Sequence, residues 1–186
     1  NAISAFWTLN IYTNQRHLAL SYAIVLALVA LFVPRDRKNI TKHAVTRIIS
    51  GSALLSTLLF INYAAAGIAG LFLLWFFISS PKSRRDIFWA GALTLPALLF
   101  LVHSANLSSH VSWQPGYLIR TALTASSLVT YWWNNIGLHS MFIPVGLALA
   151  PRLLRRIYGV PLLVLFVLPN LFRFSTDMIN NHKFFN

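Results

Sequence analysis

Residues 48–81 read IISGSALLSTLLFINYAAAGIAGLFLLWFFISSP, a run of 34 positions without a charged side chain. Arg47 stands just before it, and Lys82, Arg84 and Arg85 follow just after. As one helix the run would be about 51 Å long at about 1.5 Å per residue, against a hydrocarbon core of about 30 Å. Lys and Arg collect on the cytoplasmic side of membrane spans. Two helices that meet near Asn62-Tyr63 on the far side and return satisfy both length and charge. The small residues from Ala64 to Gly70 then offer a surface for close helix approach.

The rest of the chain has the same character. It is 57% hydrophobic and 10% charged, with mean hydropathy +0.65, where a soluble domain carries about 25% charged residues. Six Trp, six Tyr and fourteen Phe suit interfacial aromatic belts. The expected fold is all-α: a polytopic transmembrane helical bundle of about six spans plus one interfacial amphipathic helix. Besides the pair in 48–81, the spans are 18–33, 87–102 with Pro96 as a kink, 136–150 with Pro144 inside, and 157–172 with Pro161 and Pro169. The whole of 1–186 is expected to form one transmembrane domain, with 103–134 as an extracytoplasmic loop carrying the interfacial helix.

That helix is read from periodicity. Arg120, Thr124, Ser127 and Tyr131 share one helical face, and Leu118, Ala122, Ala125, Val129 and Trp132 share another. About a dozen uncharged residues separate Arg120 from Trp132, too few to cross. Such a segment lies in the interface.

Charge sets the expected sidedness. Eleven of the fifteen Lys and Arg residues fall into three clusters: Arg35, Arg37, Lys38, Lys42 and Arg47; Lys82, Arg84 and Arg85; and Arg152, Arg155 and Arg156. The basic loops 34–47, 82–86 and 152–156 are therefore expected to be cytoplasmic, and 103–134 and 173–186 extracytoplasmic. Arg16, Arg120, Arg173 and Lys183 remain for the outer face. There they join Asn14, Gln15 and His17; Asn62; His103, His110, Trp113 and Gln114; the patch from Tyr131 and Trp132 through Trp133, Asn134 and Asn135; and the tail with Asp177, Asn181 and His182.

Composition also excludes. The absence of Cys removes disulfides, thiolate metal sites and cysteine nucleophiles. The net charge of +12 sits in short loops between apolar runs, which is not the face or groove that nucleic-acid binding requires. His spacing shows no metal-ligand pattern, and no phosphate loop or nucleophile elbow is present. The three acids, Asp36, Asp86 and Asp177, lie outside the spans, so a buried proton or cation relay lacks its residues. The chain opens at Asn1 without Met or a charged leader and is read as a fragment of a longer polytopic protein.

Four segments in this order resemble the multi-spanning glycosyltransferases of the GT-C type. They are Asn14-Gln15-Arg16-His17-Leu18-Ala19-Leu20 opening a span; Gly51 to Phe60 leading to a tight outer turn; Tyr131-Trp132-Trp133-Asn134-Asn135-Ile136-Gly137-Leu138; and Asn170-Leu171-Phe172-Arg173-Phe174 followed by Asp177 and Asn181-His182-Lys183. The resemblance implies transfer of a sugar from a polyprenyl-phosphate-linked donor on the extracytoplasmic face. It implies a catalytic Asp or Glu in the first outer loop of the full protein, upstream of Asn1. Cations at the interface stabilise the charge that develops on a departing lipid phosphate, and Arg16, Arg173, His182 and Lys183 are the candidates. Asn14, Gln15, His17, Trp133, Asn134, Asn135, Asp177 and Asn181 are the candidates for the substrate cleft, with Trp113 and Trp132 at its border. No cofactor is expected within 1–186, any divalent metal belonging to the full protein. The partners expected are the polyprenyl-phosphate sugar and membrane lipid. The competing reading is a non-enzymatic scaffold subunit or a lipid-handling transporter.

Overall fold

The computed structural model describes residues 16–33, 43–104, 111–116, 119 and 122–174. Among them are seven helices: α1 (Arg16–Phe32), α2 (Ala44–Ile61), α3 (Tyr63–Ser79), α4 (Pro81–Ser104), α5 (Ala125–Ile136), α6 (His139–Leu149) and α7 (Arg152–Leu171). Three helical stretches are long and apolar enough to cross a membrane: Ala44–Ile61, Pro81–His103 and Arg152–Leu171. Leu18–Phe32, Tyr63–Ser79 and His139–Leu149 are shorter apolar helices. At about 1.5 Å per residue, the 11 residues of α6 reach only about 17 Å. The described residues are thus nearly all helical, and three of their helices are long and apolar enough to span a membrane. By contact it divides into two compact units, Gln15–Ser108, and Asn1–Asn14 with Ser109–Asn186.

In the unit Gln15–Ser108, the long uncharged run breaks at Asn62. This residue has extended backbone (φ −160°, ψ 105°) and closes both helices at once. Its N–H donates to the Leu58 carbonyl at 2.8 Å, and its side chain accepts from the Ala65 N–H at 3.1 Å. An Asn N-cap satisfies donors that the first helical turn cannot use. The corner between α3 and α4 is also one residue, Ser80, extended (φ −134°, ψ 102°). A residue before proline is pushed out of the helical region, and Pro81 is well suited to begin the next helix.

Contacts along α2 and α4 set their direction. Arg47 pairs with Asp86, Gly51 lies against Ala90, Ser52 meets Thr94, and Phe60 stands by Phe100 with ring centroids 6.2 Å apart. The two helices are therefore parallel, with α3 as the return between them. The C-terminal end of α1 lies at the Arg47–Asp86 end, since the Phe32 carbonyl accepts from Ser83 Oγ at 3.3 Å and the Phe32 ring faces Gly51. Arg47, Lys82, Arg84 and Arg85 thus gather at one end of this unit.

The packed interior is small and partly polar. Gly51 and Ser52 let α2 approach its neighbours, and a Cβ at Gly51 would fall 2.5 Å from the buried Phe32 ring. Gly67 and Gly70, expected to serve this purpose, face outward with nothing within 4 Å of a Cβ. On α3, Ala65 and Ala69 are buried instead, with Ile68, Phe72 and Phe76. Thr94 Oγ1 donates to the Ala90 carbonyl at 2.8 Å and lies 3.4 Å from Ser52 Oγ. Interhelical hydrogen bonds of this kind contribute about 0.6 to 2 kcal/mol in lipid. Leu26, Phe60, Leu74, Phe88, Trp89 and Phe100 are exposed. This inside-out pattern suits a hydrocarbon solvent, because lipid tails give apolar side chains no reason to turn inward.

In the second unit, α5 begins at Ala125, later than the amphipathic pattern from Leu118 and Arg120 suggests. Thr124 and Ser127 form a capping box in which each side chain accepts from the other's backbone N–H, at 3.1 and 2.9 Å. This box fixes the start and leaves Ala122 outside. At the other end α5 runs through Asn134, Asn135 and Ile136 until Gly137 turns with φ +53°. The expected fifth span therefore begins at His139. Its N-cap is Leu138, which makes no side-chain capping bond.

A further expectation is corrected. The basic segments 82–86 and 152–156 are not loops: they are the opening turns of α4 and α7. Pro81 and Pro151 start these helices, and Lys and Arg are good helix formers. Within α7 the turn Arg155–Gly159 widens to a π-helix just before Pro161. Proline has no N–H for the carbonyl four residues back and its ring crowds that carbonyl, so the wider turn accommodates it. Beside the helices the described residues hold one short strand pair. β1 (Ser112–Trp113) and β2 (Phe172–Arg173) pair antiparallel, with Ser112 opposite Arg173 and Trp113 opposite Phe172.

Candidate functional site

The second unit brings aromatic and polar residues together where α7 ends. The last turns of α7 present Phe166, Pro169 and Asn170, and the chain then straightens into β2. Backbone bonds hold the segment 112–116 against this end: the Gln114 N–H donates to the Leu171 carbonyl at 2.9 Å and the Gly116 N–H to the Asn170 carbonyl at 2.7 Å. These satisfy carbonyls that the final helical turn leaves unpaired. Gly116 has φ +98°, and a Cβ there would stand 3.0 Å from Leu123 Cδ1, so the clasp needs glycine at this position.

Asn170 is the hub. It is buried. Its Nδ2 donates to the Phe166 carbonyl at 2.7 Å, and its Oδ1 accepts the indole N–H of Trp132 at 3.1 Å. The Trp132 ring also lies 4.9 Å from Phe166 and edge-on to Tyr131 at 5.4 Å. Burial pushes the Tyr131 hydroxyl above its usual value of 10.0 by disfavouring the phenolate. On the other side Trp113 meets Phe172 edge-on at 5.1 Å, while more than half of Trp113 stays exposed.

Arg173 follows directly. Its backbone is held by the strand pair, its side chain is half-buried, and its Nε is buried without a hydrogen-bond acceptor among the described residues. A buried donor left unpaired costs about 1 to 3 kcal/mol, more when charged. Arg173 is therefore a cation with a donor suited to an anion, at the end of an apolar helix beside Phe172 and Phe174.

Of the other sequence candidates, Trp133 and Asn134 lie exposed on α5, and Asn135 donates from Nδ2 to the Tyr131 carbonyl at 2.7 Å. Arg16 and His17 fall in the first turn of α1. Asn14, Gln15, Asp177, Asn181, His182 and Lys183 lie outside the described residues, as does Arg120. Asn170 was not among the candidates. Its signals in the sequence are an amide closing an apolar run after Pro169 and its place at the head of the last of the four segments. Among the described residues, no three His, Asp or Glu side chains are grouped so as to hold a metal ion.

Comparison with protein-family models, with curated proteins and with solved structures finds no match to this chain.

Proposed function

We propose that this chain is the membrane part of a GT-C-type glycosyltransferase, and that Arg173 holds the phosphate of a polyprenyl-phosphate-linked sugar donor. The observation that carries the reading is the buried Arg173 Nε, left without an acceptor among the described residues at the end of α7. Arginine meets phosphate oxygens through paired N–H donors, and an anion there would supply the missing acceptor. Trp113 and Phe172 beside it provide apolar surface for the first prenyl units. Support also comes from the Trp132–Asn170 bond, which joins two of the four segments that carry the resemblance. The acid that activates the acceptor belongs upstream of Asn1 in this reading, and the cations here stabilise the departing lipid phosphate.

The reading takes six crossings: the three long helices together with α1, α3 and α6, with the basic ends cytoplasmic and Arg173 on the outer face. In it the short α6 crosses with its flanking residues, where the bilayer thins around it. The gathering of Arg47, Lys82, Arg84 and Arg85 at one end of the first unit fits the bias that places Lys and Arg inside. The alternative remains a scaffold subunit or a lipid-handling transporter.

The test uses the full-length protein reconstituted with a radiolabelled polyprenyl-phosphate sugar. Sugar transfer is expected, with an Arg173→Ala loss of roughly 100-fold in turnover, about 2.7 kcal/mol of transition-state stabilisation. Membrane insertion should be unchanged. Lipid binding without transfer would move the assignment to a lipid carrier, and no binding to a scaffold.

A further inference from the structure

We infer that the outward stripe at the basic end of α4, formed by Lys82, Arg85 and Trp89, binds the headgroup of an anionic phospholipid. These residues are three and four positions apart, so they stand on one helical face. All three are exposed, Trp89 by 50%. The residues between them are held within the unit. Arg84 turns back to α3, donating from Nε and Nη2 to the carbonyls of Phe77 and Ile78 at 2.8 and 3.0 Å. Asp86, the sole acid among the described residues, is buried and held by Arg47. No carboxylate in this unit's described residues therefore offsets Arg85.

Depth along the helix matches a phospholipid. Trp89 lies about 6 Å from Arg85 along the axis, which sets an indole at glycerol depth when the guanidinium is at the phosphate, the level that membrane Trp residues favour. Phe88 meets Trp89 edge-on at 5.4 Å and steadies the ring. One further turn on, Leu93 is exposed and offers an acyl chain an apolar track. Arg85 gives the planar fork that phosphate takes in two bonds, and Lys82 adds a point charge one turn away. A choline headgroup would set its own cation against both. A second copy of the chain meeting this stripe would oppose basic residues to basic residues. An anionic glycerophospholipid fits on both counts.

The experiment uses the full-length protein in detergent micelles, titrated with phosphatidylglycerol or phosphatidylcholine and read by native mass spectrometry. Phosphatidylglycerol adducts are expected to persist. Arg85→Gln is expected to weaken them roughly fivefold, the size of one basic contact at a membrane surface. Trp89→Leu should weaken them by a similar factor, while Arg152→Gln leaves them unchanged. Equal retention of phosphatidylcholine overturns the proposal. So does an Arg152→Gln loss equal to that of Arg85→Gln, displacement by millimolar inorganic phosphate, or a bound species that proves to be a second copy. Because the readout is lipid binding, it is independent of sugar transfer.

Discussion

The indole N–H of Trp132 reaches Oδ1 of Asn170 across 3.1 Å, tying α5 to the end of α7 over 38 positions of chain. With Asn170 Nδ2 bonded to Phe166, this one amide fixes where α5 lies and where α7 stops. Trp132→Phe keeps an aromatic ring against Phe166 but deletes the donor together with part of the indole's bulk. It should destabilise the protein by about 1 to 3 kcal/mol, the cost of an unpaired buried acceptor, seen as a lower Tm in detergent. An unchanged Tm would remove the bond from the account.

Gly51 lies tightly against the Phe32 ring in the first unit. Gly51→Val would drive a side chain into the buried Phe32 ring and should cost about 1 to 3 kcal/mol through overpacking. Gly67→Ala, at an open position, should instead gain up to about 1 kcal/mol from helix propensity. Thermal unfolding of the pair checks both signs.

Arg47 and Asp86 form the ion pair between α2 and α4. Asp86→Ala alone should cost about 3 kcal/mol, since it leaves a part-buried guanidinium without its partner, whereas Arg47→Met with Asp86→Leu should come close to neutral. A double-mutant cycle on Tm gives the coupling. Equal losses in the single and double variants would show that the pair's geometry, not its charge balance, matters.

Tyr131 gives a pH signature. Its folded hydroxyl titrates above 10.0 because burial disfavours the phenolate. As pH rises past 10.0 the unfolded chain releases this proton first, so the folded state binds more protons and stability falls with pH. The wild type should lose Tm between pH 9 and 11 more steeply than Tyr131→Phe (a scan range chosen to bracket the ordinary tyrosine value). Parallel curves would place the shift elsewhere.

The break near Asn62 was legible because two independent constraints met there: a run too long for one crossing, and basic residues at both ends. The start of α5 was not, since an amphipathic pattern carries no mark of where a Thr–Ser capping box will cut it. Nor could the pattern tell Gly51 from Gly67. Both sit in apolar helices, and only packing decides which one faces a neighbour. Two-residue strands have no periodicity to read, so the clasp of Gln114 and Gly116 on α7 was invisible. Arg173 was legible as a cation breaking the charge pattern, but the burial of its Nε away from any acceptor among the described residues shows only in the structure.

The corners at Asn62 and Ser80 leave the segment from Ala44 to Ser104 without slack. Adding a single residue inside α3 would swing all that follows by about 100° around the helix axis. Asp86 would then leave Arg47, and Thr94 would leave Ser52. This stretch can change length only by whole helical turns, or by altering both corners together. Natural length variation should therefore be confined to other parts of the chain, and tags or fusion partners inserted between residues 44 and 104 should abolish folding even where the site is exposed.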